Sequence, residues 1–386
     1  MQVAYLSYND SDQALKSRST EILNNFFGSH NYNLNASDGK ILFIASGGSE
    51  KHSIDITKNE KNIIVLCHRE TNSFAAAIEI AAYLRAENKR VEIIDVLAEN
   101  AFEEFLNAQK VFEALDSLSR QKAAVIGEVS DWLIISDVEN STLKDKLGIE
   151  VVRLPWEDFE TYNEMEPSQE FLEFFKDYDT EKLNDTAKVY SLLNKIATDN
   201  EISAMSVECF SMVMRDRVTA CLPLSVFNAR NIVAACEGDV CAMIGKMLLR
   251  AISNEIPWQA NIAEIKEGSV LLAHCTAPLH LLSSFEINTH FETDCGTAIQ
   301  GKVAYGNIGV FRVDSKLEKY MLLEGSIENT PNHDYACRTQ IEFKTGNYET
   351  GLLKNSSLGN HHLVFKSEYI PLLKKVMNIL GINRVT

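Results

Sequence analysis

Short β-branched runs alternate with amphipathic stretches over the first third of the chain. "VAYLSY" is followed by Ser11 to Phe27, then come "ILFIAS", "NIIVLC", Asn72 to Ala86, "VEIIDV" and Ala101 to Leu118. Apolar positions recur at helical spacing in the long stretches and run together in the short ones. That rhythm predicts parallel strands joined by crossover helices, a doubly wound layer. A second series starts at "KAAVIG" and continues through "WLIISD" and "IEVVRLPW" as strands. Helical patterns near Ser168 to Asp177 and Glu181 to Ala197 lead to the strand-like "ISAMSVEC" and to a run ending at Glu237.

Beyond Pro257 the pattern shortens. "SVLLAHC", "SFEINTHFE", "TAIQGKVAYGNIGVFRV", "KYMLLEGSI" and "RTQIEFKT" are rich in Val, Ile, Phe and Tyr and are separated by Gly and Asn, as antiparallel strands are. A last helix is expected from Ser367 to Leu380, stopped by Gly381. The fold class expected is α/β, with two doubly wound parallel-sheet domains (1–120 and 121–245) followed by a β-rich C-terminal domain (246–386).

At the junction "VAACEGDVCAMIGKML", two carboxylates stand between a strand-like run and a helical one. Apolar residues follow Asp239 at Val240, Met243, Ile244, Met247 and Leu248, one face of a helix, so Asp239 is a natural N-cap. Glu237 then falls at the carboxyl end of a strand, the usual address of a ligand or catalytic group in an open α/β sheet; the plainer role is to stabilise the helix dipole. The stretch is not a P-loop, because Met247 stands where a hydroxyl residue should follow the lysine.

"LGNHHLVF" places His361 and His362 after a Gly-Asn turn, where one imidazole can ligate a metal or both can simply be solvated. Adjacent histidines on a strand face opposite ways, so one of them at most enters a given site. His274 ends an apolar run, where a satisfied core histidine is the ordinary case. His290 and Glu292, two apart in "THFET", would share one strand face and line a pocket or pair across a solvated sheet. "CHRETNS" offers a helix cap at Thr71, Asn72 or Ser73.

Composition narrows the partners. A formal charge of −17 and no basic cluster with interleaved aromatics argue against nucleic acid and anionic membranes, leaving a small neutral or cationic ligand. The 45% hydrophobic content suits a globular chain with a sizeable core. Eight cysteines without a C-x-x-C pair, many inside apolar runs (Cys67, Cys209, Cys221, Cys236, Cys275), read as buried thiols in a reducing compartment. With neither a signal-peptide pattern nor a membrane-length apolar run, a cytoplasmic protein is expected.

From about Val207 onward, "ACLPLSVFNARNIVAACEGDVCAMIGKMLL", "IPWQANIAEI", "VLLAHCTAP", "THFETDCGTAIQGKV" and "GNHHLVF" together resemble the L-fucose isomerase and L-arabinose isomerase superfamily, in particular its shorter fucose-isomerase-like members. The pairing of "CEGDV" with "GNHH" is the most specific part. The resemblance implies aldose–ketose interconversion through an enediol, a divalent ion (usually manganese), and a site near a neighbouring subunit of a trimer or hexamer. It carries the metal-binding glutamate to Glu237 and the histidine to His361, with His362 second. Asp239, His274, His290, Glu292 and His362 become substrate-binding or supporting candidates.

The family's aspartate, a ligand and proton-transfer group, should lie 24 residues beyond the glutamate, where this chain has Asn261. An amide oxygen can still coordinate a hard cation, but it contributes no negative charge and carries no titrating proton. Glu237 would then act alone or with water, His361, Glu292 or Glu208; the acid nearest in sequence to Asn261 is Glu264. The alternative expectation is a non-catalytic or altered sugar-binding paralogue.

Overall fold

Four all-parallel strands, β1 (Ala4–Leu6), β2 (Ile41–Ile44), β3 (Asn62–Cys67) and β4 (Arg90–Asp95), lie in that order in the computed structural model, which describes residues 1–29, 31–34 and 39–386. The strands are buried on both faces, which is why their sequences are continuous apolar runs rather than alternating ones. On one face Phe43, Ile64 and Leu66 pack with Leu23 and Phe27 of helix Gln13–Phe27 and with Phe105 of helix Ala101–Leu118. On the other, Leu42, Ile63 and Val65 meet Ala77, Ile80 and Leu84 of helix Ser73–Ala86. This unit comprises residues 1–113 and 378–380.

The second unit comprises residues 114–377 and 381–386 and holds both a parallel sheet and an antiparallel barrel. Its parallel sheet has the order β6-β5-β7-β8, built from β5 (Lys122–Ile126), β6 (Glu150–Leu154), β7 (Ala204–Val207) and β8 (Val233–Cys236). Next come β9 (Trp258–Lys266), β10 (Ser269–His274), β11 (Leu282–Asn288), β12 (Ala298–Val303), β13 (Asn307–Val313), β14 (Lys319–Asn329), β15 (Thr339–Lys344), β16 (His362–Lys366) and β17 (Asn383–Arg384). Neighbours run β13-β16-β9-β10-β15-β14, and β13 pairs with β14 to close the ring; β17 adds to β14, while β11 and β12 form a separate hairpin. The expected α/β class with a β-rich C-terminal part is therefore observed.

One apolar cluster joins the two sheets of this unit, running from Ala124, Val207 and Phe227 through Trp258, Leu272 and Val310 to Phe343. Helix Val240–Ser253 lies between β8 and the barrel strands and is buried nearly all round, as its unbroken apolar sequence requires. Close approach is possible because Gly245 has no side chain: a Cβ there would fall 2.5 Å from Leu363 Cδ1 on β16.

Three local expectations are corrected. "WLIISD" is not a strand but a loop of turns with Trp132, Ile134 and Ile135 exposed: Leu133 and Ser136 N–H donate within the loop and the Ser136 carbonyl is spent on the helix start rather than on a strand partner. "THFET" is a turn rather than a strand: His290 N–H donates to the Cys295 carbonyl, and Asp294 N–H to that of His290, so His290 and Glu292 do not share a strand face. Helices Cys221–Ala229 and Asn347–Ser356 were not anticipated. The first carries Pro223 in its opening turn, where a missing N–H costs nothing. Among the described residues no helix is long and apolar enough to cross a membrane.

Candidate active site

Glu237 occupies the residue after β8, and its backbone is the first unusual feature. Glu237 and Gly238 have φ of 64° and 69°, two successive left-handed residues. A non-glycine side chain pays about 1 kcal/mol or more for that conformation, which persists only where the surroundings enforce it. Here Ser130 N–H donates to the Glu237 carbonyl at 3.1 Å, and residues 128–129 pack flat against Gly238. The turn throws the Glu237 carboxylate toward the barrel.

Asp239 then starts the helix as expected: its Oδ1 accepts from Ala242 N at 2.7 Å. Its other oxygen faces His361 Nδ1 at 2.9 Å and Arg312 Nη1 at 3.3 Å, all three residues being essentially inaccessible to water. Burial would raise the Asp239 pKa, but Arg312 and His361 outweigh it and hold the group ionised. A carboxylate against Nδ1 fixes the ring so that Nε2 points onward.

Glu237 receives what those rings present. Its Oε1 lies 3.5 Å from His361 Nε2 and 3.8 Å from His274 Nε2, and its Oε2 accepts from the Trp132 indole at 2.6 Å. The side chain is 22% exposed. Burial pushes its pKa up, yet the two imidazoles more than offset this and hold it well below the usual carboxylate range. For His361, burial opposes the charge while Asp239 and Glu237 favour it, and the balance lifts it to about 9. His274 goes the other way: burial dominates over Glu237 and keeps it neutral at pH 7. Its Nδ1 pairs with the Thr276 hydroxyl at 2.9 Å, which permits the tautomer with a lone pair on Nε2.

The Nε2 atoms of both His274 and His361 are buried and lack hydrogen-bond partners. Two such orphaned nitrogens beside one carboxylate are what a divalent cation would satisfy, with cation binding displacing the His361 Nε2 proton. Cys236 Sγ, a Glu237 oxygen and a His274 nitrogen also lie within 4.8 Å of one another. The Cys236 thiol hydrogen-bonds with Cys209 and is buried; both effects keep it protonated and make it the poorest donor of the group. An oxygen and two imidazole nitrogens fit a first-row divalent ion.

The remaining candidates sit elsewhere around this cluster. Asn261 uses its Oδ1 to accept from Asn360 Nδ2 at 2.6 Å, while its own Nδ2 faces Cys337 Sγ at 3.8 Å. His362 is buried on β16 with Nδ1 on the Asn360 carbonyl, and burial, reinforced by Arg312, drives its pKa down to about 3. His290 holds Thr293 at 3.1 Å, and Glu292 is exposed. Glu264 turns to Lys266 and Tyr335 at 3.0 and 3.2 Å.

Two residues were missed. Arg312 anchors the cluster, and its signal was a lone guanidinium inside the apolar run "GVFRV". Trp132 was hidden inside the supposed strand "WLIISD".

A parallel-sheet crevice with an ionised carboxylate among buried imidazoles defines a candidate small-molecule centre. No family model matches the chain. It is similar to sulfoquinovose isomerases of Priestia aryabhattai and Priestia megaterium, 25% identical to each over 238 residues, 56% of this chain and 52% of each relative. It is also similar to the sulfoquinovose isomerase of Alkalicoccus urumqiensis, 22% identical over 256 residues, 61% of this chain and 58% of the relative. The chain thus spans about half the length of the curated relatives it matches.

Proposed function

We propose that this protein is a sugar isomerase interconverting an aldose and a ketose, with Glu237, His274 and His361 holding a divalent cation, manganese being the family's usual choice. The observation that carries the reading is the pair of unpartnered imidazole nitrogens facing one ionised carboxylate. Similarity to proteins named as sugar isomerases supports the reaction class.

Aldose–ketose interconversion moves one proton between C1 and C2 and another between their oxygens, so it needs a base, an acid and charge stabilisation of the enediol. A bound cation would supply Lewis-acid polarisation of the sugar carbonyl. Glu237, held ionised, anchors rather than shuttles, because a carboxylate with so low a pKa is a weak base. The proton between C1 and C2 falls to Glu208. Val207 and Cys236 are register partners on the parallel strands β7 and β8, so Glu208 and Glu237 follow at adjacent strand ends. Glu208 is set in place by the Ser211 N–H and hydroxyl at 2.9 and 2.6 Å. Trp132 donates its indole N–H to Glu237 and so holds that carboxylate from the side of the loop.

The test is aldose-to-ketose conversion with added manganese over a panel of deoxy, amino and sulfonated sugars. Wild type converts at least one sugar, and Glu237→Gln lowers kcat by about a thousandfold or more. Inactivity across the panel, with no metal retained, overturns the proposal.

The occupied amide of Asn261 favours a second reading, a sugar-binding paralogue without turnover. Activity that emerges only in Asn261→Asp would select it. The expected assembly, a homo-oligomer of trimer or hexamer type, is likewise a proposal; sedimentation measures it.

A further inference from the structure

Beside the Glu237 turn lies a cavity of about 330 Å³, at the low end for small-ligand sites. Its lining residues follow β5, β6 and β7 at their carboxyl ends, where parallel sheets take their ligands. Trp132, Trp156 and Phe210 supply apolar walls. The Trp132 and Phe210 rings meet edge to face at 5.1 Å, and the Trp156 indole is fixed to the Glu208 carbonyl at 2.8 Å. Rigid aromatic faces of this kind suit the C–H face of a sugar ring.

Ser130 gives an independent sign of a ligand. It lines the cavity, is only 6% exposed, and its Oγ has no hydrogen-bond partner. A buried hydroxyl without a protein partner is a donor and acceptor left for something else. Charge then narrows what that something is. Glu128, Asp131 and Glu157 line the wall together with Glu208, and no lysine, arginine or histidine is among the described residues that do so. Carboxylates bind hydroxyl and ammonium groups as acceptors and repel anions.

We propose that this cavity seats the sugar, with Glu208 toward C1 and C2 and with Glu128, Asp131 and Glu157 toward the remote end, and that it admits uncharged or amino-substituted sugars while excluding those bearing a sulfonate or carboxylate at that end. The substrate class of this chain then differs from the sulfonated sugar named for its relatives. The placement of C1 and C2 rests on the isomerase reading; the selectivity rests on the cavity alone.

The experiment is calorimetric titration of the whole chain, at low ionic strength with manganese present, using glucose, 6-amino-6-deoxyglucose and sulfoquinovose, which share their ring hydroxyls and differ at C6. Glucose and the amino sugar should bind about tenfold or more tightly than sulfoquinovose. The double variant Glu128→Gln/Asp131→Asn, altered only at exposed positions, should narrow that gap severalfold, because it removes the repulsion felt by sulfoquinovose while the amides still hydrogen-bond the hydroxyls that all three sugars share. Sulfoquinovose binding as tightly as glucose, a gap unchanged in the double variant, or no binding of any of the three overturns the proposal. Turnover is scored separately. Selective binding without conversion sinks the isomerase reading alone, whereas conversion of all three sugars with equal KM sinks the cavity's selectivity alone.

Discussion

At Gly238 the candidate site depends on an absent side chain. A Cβ there would lie 2.3 Å from the Glu128 carbonyl oxygen and 2.8 Å from Val129 Cα, both backbone atoms that cannot swing aside. Gly238→Ala should therefore cost about 1–3 kcal/mol and displace the Glu237 turn, so that urea unfolding and sugar turnover fall together. A variant with unchanged stability and rate would contradict this account of the turn. Lys246 poses a different problem. It is fully buried in helix Val240–Ser253, with Nζ 3.0 Å from the Ala234 carbonyl, and burial pushes its pKa down to about 7. Between pH 7 and the ordinary lysine value the unfolded chain binds a proton that the folded chain lacks, so this residue makes stability rise with pH over that window. Lys246→Met should be more stable than wild type at pH 7 by on the order of a few kcal/mol, because the cost of a buried ammonium is gone. The difference should shrink steadily as pH rises toward ~10.5, beyond which the lysine is neutral in both states. Urea melts of both proteins along that range test it, and parallel pH curves would refute it.

Among the elements, β13 shows how barrel and parallel sheet share one centre. Arg312 on this strand donates to the carbonyls of Leu358 and His361 at 2.9 and 2.7 Å and to Ser136 Oγ at 2.9 Å, besides facing Asp239. Arg312→Met leaves Asp239 buried with His361 as its remaining charged partner; the expected loss is about 3–5 kcal/mol, read by urea unfolding. A loss below about 1 kcal/mol would show that the guanidinium does not brace the cluster. Such long-range ties explain what the sequence could not disclose. Helix Val240–Ser253 was legible because Asp239 and its apolar spacing are local signals. The loop at "WLIISD" read as a strand because its residues are apolar, yet Ile134 and Ile135 are exposed and the segment's bonds are tertiary: the Ser136 carbonyl accepts from Val240 and Cys241 N–H at 3.0 Å each, and Trp132 reaches Glu237. Helix Asn347–Ser356 escaped notice because it buries only Thr350 and Leu353 and so lacks an apolar stripe.

Over the molecule as a whole, the alternation of strand and helix and the later run of short strands declared the α/β class and the β-rich end, because both follow from periodicity. The cluster was only half legible. Glu237, Asp239 and His361 carried motif signals, whereas His274 looked like an ordinary core histidine until its Nε2 was found without a partner beside Glu237. Asn261 was expected among the donors from the family resemblance, and its amide oxygen accepts from Asn360 Nδ2. The central claim is that Glu237 and the two imidazoles work as one isomerising centre. It is tested most directly by proton NMR of a convertible aldose incubated with the manganese-loaded protein in deuterium oxide. The account predicts ketose formation, with solvent deuterium entering at the carbon that receives the migrating proton, and loss of both signals in His274→Asn and in Glu237→Gln. Undiminished ketose formation and exchange in His274→Asn would contradict it.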